Sequence, residues 1–211
     1  MNRKAKSYFL NILALLVLYF VVASLISSGA LNNYYSGIIV TICISIIMAV
    51  SLNLTTGLLG QLALGHAGFM AVGAYTAAIV TKSLTIDFSL SLAIGLLAGG
   101  VMSAVFGFLI GMPALRLKGD YLAIITLGFG EIIRVVIENL QITGGAGGLS
   151  RITRMSRAFS DDVPASSAVQ FGIVFWIMVL IITSIFTLGR SRHGRAIISI
   201  RENDVAAEAT G

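Results

Sequence analysis

The sequence predicts an all-α polytopic membrane protein with about six transmembrane helices, and three observations predict it. Hydrophobic residues make up 57% of the 211 positions and charged residues only 11%, against about 25% charged in a typical globular domain. Apolar runs of roughly the length needed to cross a 30 Å hydrocarbon core, about 20 residues, recur along the chain. Basic residues collect at the ends of those runs, which suits membrane orientation and argues against nucleic acid as a partner despite the net charge of +5.

Taken in order, the spans are 8–28, 37–55, 62–81, 88–112, 120–139 and 168–189. The first has the parts of a secretory signal: basic residues, an apolar core and small residues at Ser28, Gly29 and Ala30. Its apolar part, Tyr8 to Ile26, is longer than the usual signal core of about 7–15 residues, and further spans follow it, so it reads as an uncleaved first span. Cys43, the one cysteine, lies inside the second run, so there is no disulfide framework and no metal spacing. With the N-terminus cytoplasmic, nine Lys and Arg residues fall inside (Arg3, Lys4, Lys6, Arg116, Lys118, Arg190, Arg192, Arg195, Arg201). Four fall outside (Lys82, Arg151, Arg154, Arg157), partly offset by Asp161 and Asp162, which favours this orientation. The inner loop "MPALRLKGD" is tight: Pro113 and Gly119 break the helices, and Asp120 is placed to cap the next one. The outer loop, about 140–167, opens with "TGGAGGLSR", which lacks the Lys and Ser or Thr of a phosphate-binding loop and reads as a flexible turn.

Inside the spans, small residues mark seams. Gly95, Gly99, Ser103, Gly107 and Gly111 recur every four residues along the fourth span. Gly60, Ala63, Ala67, Ala71, Ala74 and Ala78 form a similar stripe on the third. Lipid tails are as apolar as leucine, so helices gain by close backbone approach, which small residues allow. In the fifth span Glu131, Arg134 and Glu138 project from one helix face. An ionised group near the bilayer centre costs at least about 2.5–3.5 kcal/mol, so the face must meet protein or water. Two readings stand for it, a structural Glu131–Arg134 ion pair or a conduction-path element.

The stretch "SLNLTTGLLGQLALGHAGFM", residues 51–70, is polar and glycine-rich between two hydrophobic runs. Residues 55–61 carry what a helix break needs: side-chain hydrogen bonds from Thr55, Thr56 and Gln61, and conformational freedom at Gly57 and Gly60. Transporters place binding elements at discontinuous helices of this kind, but hydropathy alone favours a short uncharged turn at the membrane surface. Asn53 borders the same stretch, and His66 has no second ligand at metal spacing.

Three blocks carry a resemblance. Residues 51–78, "SLNLTTGLLGQLALGHAGFMAVGAYTAA", resemble the signature of the permeases of branched-chain amino-acid ABC importers. "GDYLAIITLGFGEIIRVVIENLQITGGAGGL" resembles one of the two permease types of that family, and "RSRHGRAIISIRENDVAAEATG" its cytoplasmic coupling segment. The resemblance implies that Gln61, His66 and their glycines border the translocation path; Asn53, Thr55 and Thr56, from the same polar stretch, and Glu131 and Arg134, from their charge within a span, are further candidates. It also implies a domain division into a permease domain, 1–189, and a coupling segment, 190–211, in which Arg195, Arg201, Glu202, Asp204, Ala206, Ala207 and Gly211 meet an ATPase. The general motif places Glu where Val205 stands here, which puts the charge contact in doubt. Implied partners are a second permease subunit, two ATPase subunits that bind the ATP, an extracytoplasmic substrate-binding protein and the lipid bilayer of a bacterial-type inner membrane. The outer loop 140–167 is the candidate contact for the binding protein.

Members of the family continue beyond such a motif, so the chain reads as roughly the first two thirds of a permease, unable to transport alone. No catalytic site, cofactor or metal is expected, and no Walker motif occurs. The rival readings are an ABC permease for urea or another small solute, a proton- or ion-coupled secondary transporter using Glu131–Arg134 or His66, and an intramembrane enzyme. The last has no support beyond the isolated Ser103 and His66 on different spans.

Overall fold

The computed structural model describes residues 3–114, 116–117, 119–150, 152, 155, 159 and 163–202, without the side chains of 3–9 and 163. Lys118, Arg151, Arg154, Arg157, Asp161, Asp162, Asp204, Val205, Ala206, Ala207 and Gly211 therefore lie outside the described residues.

Every regular element among the described residues is helical: α1 (Arg3–Ser27), α2 (Asn33–Asn53), a π-turn (Leu54–Leu58), α3 (His66–Ser83), α4 (Phe88–Ala114), α5 (Asp120–Asn139), a 3-10 turn (Gly145–Gly147), α6 (Val163–Arg190) and α7 (Arg192–Glu202). By length and composition four segments are suited to cross a membrane: Leu10–Ser27, Asn33–Leu58, Phe88–Ala114 and Pro164–Arg190. The chain is thus a multi-pass membrane protein. The other two expected spans form as helices, α3 and α5, but with a different composition. The 18 residues of α3 include many Gly and Ala, with His66 and Lys82 at or near its ends, and α5 carries Asp120, Glu131, Arg134 and Glu138.

The cap expected from Asp120 forms differently. Gly119, at φ 61°, is the residue that enters α5, and Asp120 sits inside the first turn without a side-chain capping bond. There a carboxylate still favours the helix through the N-terminal partial charge. Pro113 does not stop α4 outright; the helix runs one residue further, to Ala114, because a proline in the last turn removes a single hydrogen bond.

The chain forms two compact units. The first, Met1–Ala49 with Arg154–Ser184, packs α1, α2 and α6 around Ile26, Val40, Cys43, Phe171, Phe175 and Met178. Tyr19 stacks on Phe171 with ring centroids 6.0 Å apart, and Gly172 leaves room for its hydroxyl.

The second unit, Val50–Thr153 with Ile185–Gly211, is built on α3, which packs against α4 on one side and α5 on another. The α3–α4 seam is backbone against backbone. A Cβ on Gly99 would lie 2.5 Å from the Gly73 carbonyl oxygen, and one on Gly95 would lie 2.9 Å from that of Ala77. Hydroxyls then stitch the seam: Ser103 donates to the Phe69 carbonyl at 2.8 Å and Ser91 to that of Thr81 at 3.1 Å. At Gly107 and Gly111 a Cβ would meet nothing within 4 Å among the described residues, so the small-residue ridge is a seam only over its first half. Below it the contact widens to an apolar cluster of Val72, Ile110 and Ile133 with Phe69, Phe106 and Phe129.

Beyond α5 the glycine-rich loop is a defined knot. Gly144, Gly145 and Gly148 all have positive φ, and the Thr143 hydroxyl lies 2.5 Å from the Ile137 carbonyl and 2.7 Å from that of Leu140, to one of which it donates. Lys82, at the end of α3, donates to the Ser150 carbonyl at 3.2 Å.

Candidate functional site

The helix of the second span does not break at Thr55. It continues through the π-turn, Leu54–Leu58, and Leu59 still has right-handed helical angles; the chain leaves helical geometry at Gly60. The Leu59 N–H donates to the Leu54 carbonyl, five residues back, at 3.2 Å, the wider repeat that marks a π-turn. The Thr55 and Thr56 hydroxyls stay in the helix groove, donating to the Leu52 carbonyl at 2.8 and 3.0 Å. Gly57 is needed because the Asn53 side chain lies where its Cβ would be. Gly60, at φ 72°, then turns the chain into an irregular segment that lasts to Gly65.

That segment is held against the first half of α5. The Leu64 N–H donates to the Thr126 hydroxyl at 3.0 Å. The buried Thr126 hydroxyl in turn lies 2.8 Å from the Leu122 carbonyl and 3.0 Å from that of Ala123. A Cβ on Gly65 would be 2.5 Å from the Thr126 carbonyl oxygen, and one on Gly68 2.9 Å from the Gly130 Cα. Irregular backbone needs partners for its polar groups, and here α5 supplies one for the Leu64 N–H. Gln61 is partly buried, its N–H donating to the Thr55 carbonyl at 3.0 Å.

His66 opens α3, its Nε2 lying 2.6 Å from the Ser51 hydroxyl, so the histidine ties the start of α3 to the end of α2. Thr126 has no signal of its own in the sequence, being a single hydroxyl in an apolar run, and Ser51 opens the polar stretch 51–70 without any pattern that marks it. Among the described residues no group of three or more His, Cys, Asp or Glu is placed to hold a metal.

On α5, Arg134 holds both neighbouring carboxylates. Its Nε donates to Glu131 at 2.9 Å, its Nη2 also reaches Glu131, and its Nη1 donates to Glu138 at 2.6 Å. The Arg134 and Glu131 side chains are 55% and 57% exposed and that of Glu138 48%. The opposite side of α5 is apolar: Phe129, Ile133 and Ile137 line a cavity of about 500 Å³ with Val72, Phe106 and Ile110. One ion-pair ladder with two carboxylates and one guanidinium thus lies on the face of α5 turned away from the packed α3–α5 contact. The bonds that hold these charges stay within the ladder, and those of His66 lie elsewhere, at Ser51.

At the end of α6, Ser191 starts α7, its hydroxyl accepting from the Gly194 N–H at 3.0 Å. Gly194 is buried against the Leu188 carbonyl and Gly189, so the α6–α7 corner has no space for a side chain there. The helix is amphipathic, with Arg192, Arg195 and Arg201 exposed and Ile197 and Ile198 partly covered. Arg195 donates to the Arg190 carbonyl at 3.1 Å. Arg201 pairs with Glu202 at 2.7 Å and, through Nη1, donates to the Gly57 carbonyl of the π-turn at 2.8 Å.

Residues 34–211 match the family described as the permease component of the branched-chain amino acid transport system. The chain belongs to that family. It is 36% identical to the high-affinity branched-chain amino acid transport system permease protein LivM of Escherichia coli (strain K12), across 96% of this chain and 51% of that one. The LivM protein of Salmonella typhimurium is 35% identical with the same coverage. A probable branched-chain amino acid transport permease protein LivM of Methanocaldococcus jannaschii is 29% identical over 53% of this chain and 33% of its own. The chain spans about half the length of the first two relatives, less than the two thirds expected from the motif order. No solved structure matches it. The three blocks that resemble the family fall on the elements just described: π-turn and α3, α5 with its glycine knot, and α7.

Proposed function

We propose that the chain is the membrane permease subunit of an ATP-driven ABC importer and forms part of the translocation path for branched-chain amino acids. The observation that carries the path is the exposed ladder Glu131–Arg134–Glu138 in a helix of membrane-spanning length. Lipid is a poor solvent for three ionised groups, so this face of α5 borders a second subunit or a water-filled route. Within the second unit the π-turn and α7 share one end, while Lys82 and the knot share another. That supports six spans with Arg190, Arg192, Arg195 and Arg201 cytoplasmic, and with them the N-terminus. The relatives' names support branched-chain amino acids as the solute.

In this reading α7 presents Arg195 and Glu202, with the residues beyond them, to one of two ATPase subunits that bind the ATP. A second permease subunit completes the path in the inner membrane, and a substrate-binding protein delivers solute at the outer loop. The test is uptake of labelled leucine by proteoliposomes holding the full-length permease with these partners. Uptake that needs ATP inside and survives an uncoupler is expected. Uptake abolished by an uncoupler while ATP is present would make Glu131 and Arg134 a relay and sink the importer reading. Leucine uptake displaced by urea and not by valine would reassign the solute.

A further inference from the structure

We propose that Arg201 is a positioning residue that ties α7 to the carbonyl end of the π-turn and holds that turn in its wide register; the inference rests on the importer reading only for its role in transport. The last carbonyls of a helix have no partner within it and carry the negative end of its dipole. The run Asn33–Leu58 ends in this way, and the cation that meets it comes from 144 residues further along the chain: Arg201 Nη1 donates to the Gly57 carbonyl at 2.8 Å. Gly60 makes the seat, and Gly57 leaves room for Asn53 beside it. The Asn53 side chain occupies the Cβ position of Gly57, and the Arg201 stem occupies that of Gly60, with Cδ at 3.0 Å from it. Glu202 grips the same guanidinium from Nε and Nη2 at 3.3 and 2.7 Å, so its orientation is set from both sides.

A π-turn holds one residue more than the α-helical turn it replaces, so it has a second state available in the same chain: the α register, with the next residues drawn back by one. Those residues form the irregular segment tied to α5 through Leu64 and Thr126. Coupling between distant sites requires such a two-state element that both ends bias. Withdrawal of α7 removes the cation from Gly57 and frees the turn to tighten; the pull then falls on the segment ending at Gly65. Gly60 therefore serves the docking of α7 as well as the bend.

The experiment is backbone hydrogen exchange on the chain in lipid nanodiscs, comparing wild type with Arg201→Gln, Arg201→Lys and Gly60→Ala. The amide of Leu59, in the π register, and that of Gln61, which closes the turn onto Thr55, should exchange at least tenfold faster in Arg201→Gln and Gly60→Ala, less in Arg201→Lys, with the α3–α4 seam around Ala77 unchanged. No acceleration at Leu59 and Gln61 overturns the proposal, and so does equal acceleration along the seam, which signals general loosening. In proteoliposomes with the partner subunits, Arg201→Gln should raise the ATP consumed per leucine imported about tenfold while hydrolysis itself stays within twofold. An unchanged ratio overturns the transport role of the tie. Absence of ATP-driven uptake in wild type would instead strike the importer reading, and is distinguished because the exchange result stands without it.

Discussion

At the scale of residues, the site depends on hydroxyls and charges that each have an assigned partner. Thr126 is buried and receives the Leu64 N–H, so its loss leaves a backbone donor stranded beside α5. Thr126→Val keeps the shape and removes the acceptor, which costs about 1–3 kcal/mol for a stranded buried group. Thr126→Val should lower the thermal midpoint in detergent by several degrees and Thr126→Ser by much less; equal midpoints for the two would show that Leu64 finds another acceptor. Arg134 is more demanding. Removing it leaves Glu131 and Glu138 on one face without their shared cation. Arg134→Met should therefore reduce leucine uptake at least tenfold, more than Glu131→Gln, which leaves Arg134 paired with Glu138. An uptake loss that is larger for Glu131→Gln would mean that the carboxylate itself, and not charge balance, is what the path uses.

At the scale of elements, the same residue type does opposite things along one helix. Gly99 faces the Gly73 carbonyl with no space for a methyl group, whereas Gly107, two turns on, faces nothing within 4 Å among the described residues. Gly99→Ala must push α3 from α4 and should lower the midpoint. Gly107→Ala gains helix propensity, worth up to about 1 kcal/mol relative to glycine in a helix interior, and should leave stability unchanged or raise it. Unfolding midpoints of the two variants decide it; similar losses at both would put another element against Gly107. The sequence does not distinguish these glycines, because a four-residue repeat defines a face and not what lies opposite. Hydropathy and length do locate the helices, since burying backbone polar groups in lipid leaves a chain few alternatives. The π-turn is less legible: 55–61 has the composition of a break, yet Thr55 and Thr56 bond within the helix and carry it on to Leu58. The tie from Arg201 to Gly57 has no sequence signal at all, being a contact across 144 residues in which one partner is a backbone carbonyl.

At the scale of the whole molecule, α7 is the element that most needs something beyond its own chain. Arg192 and Arg195 are exposed on one side of it, while Arg201 leaves from another side to reach the π-turn; that tie and the Gly194 corner attach it to the rest of the second unit. In the proposed importer this helix is the element offered to the ATPase. Deleting 192–202 should leave the α3–α4 and α3–α5 seams intact, because the hydrogen bonds that stitch them run among α3, α4, α5 and the segment before α3. Co-purification of the full-length permease from membranes should therefore retain the second permease subunit and lose the ATPase when 192–202 are deleted. Loss of both subunits would mean that α7 supports the fold and not only the dock. Retention of the ATPase would place its contact elsewhere, and would leave the basic residues of α7 with the simpler role of holding this end of the chain at the cytoplasmic surface.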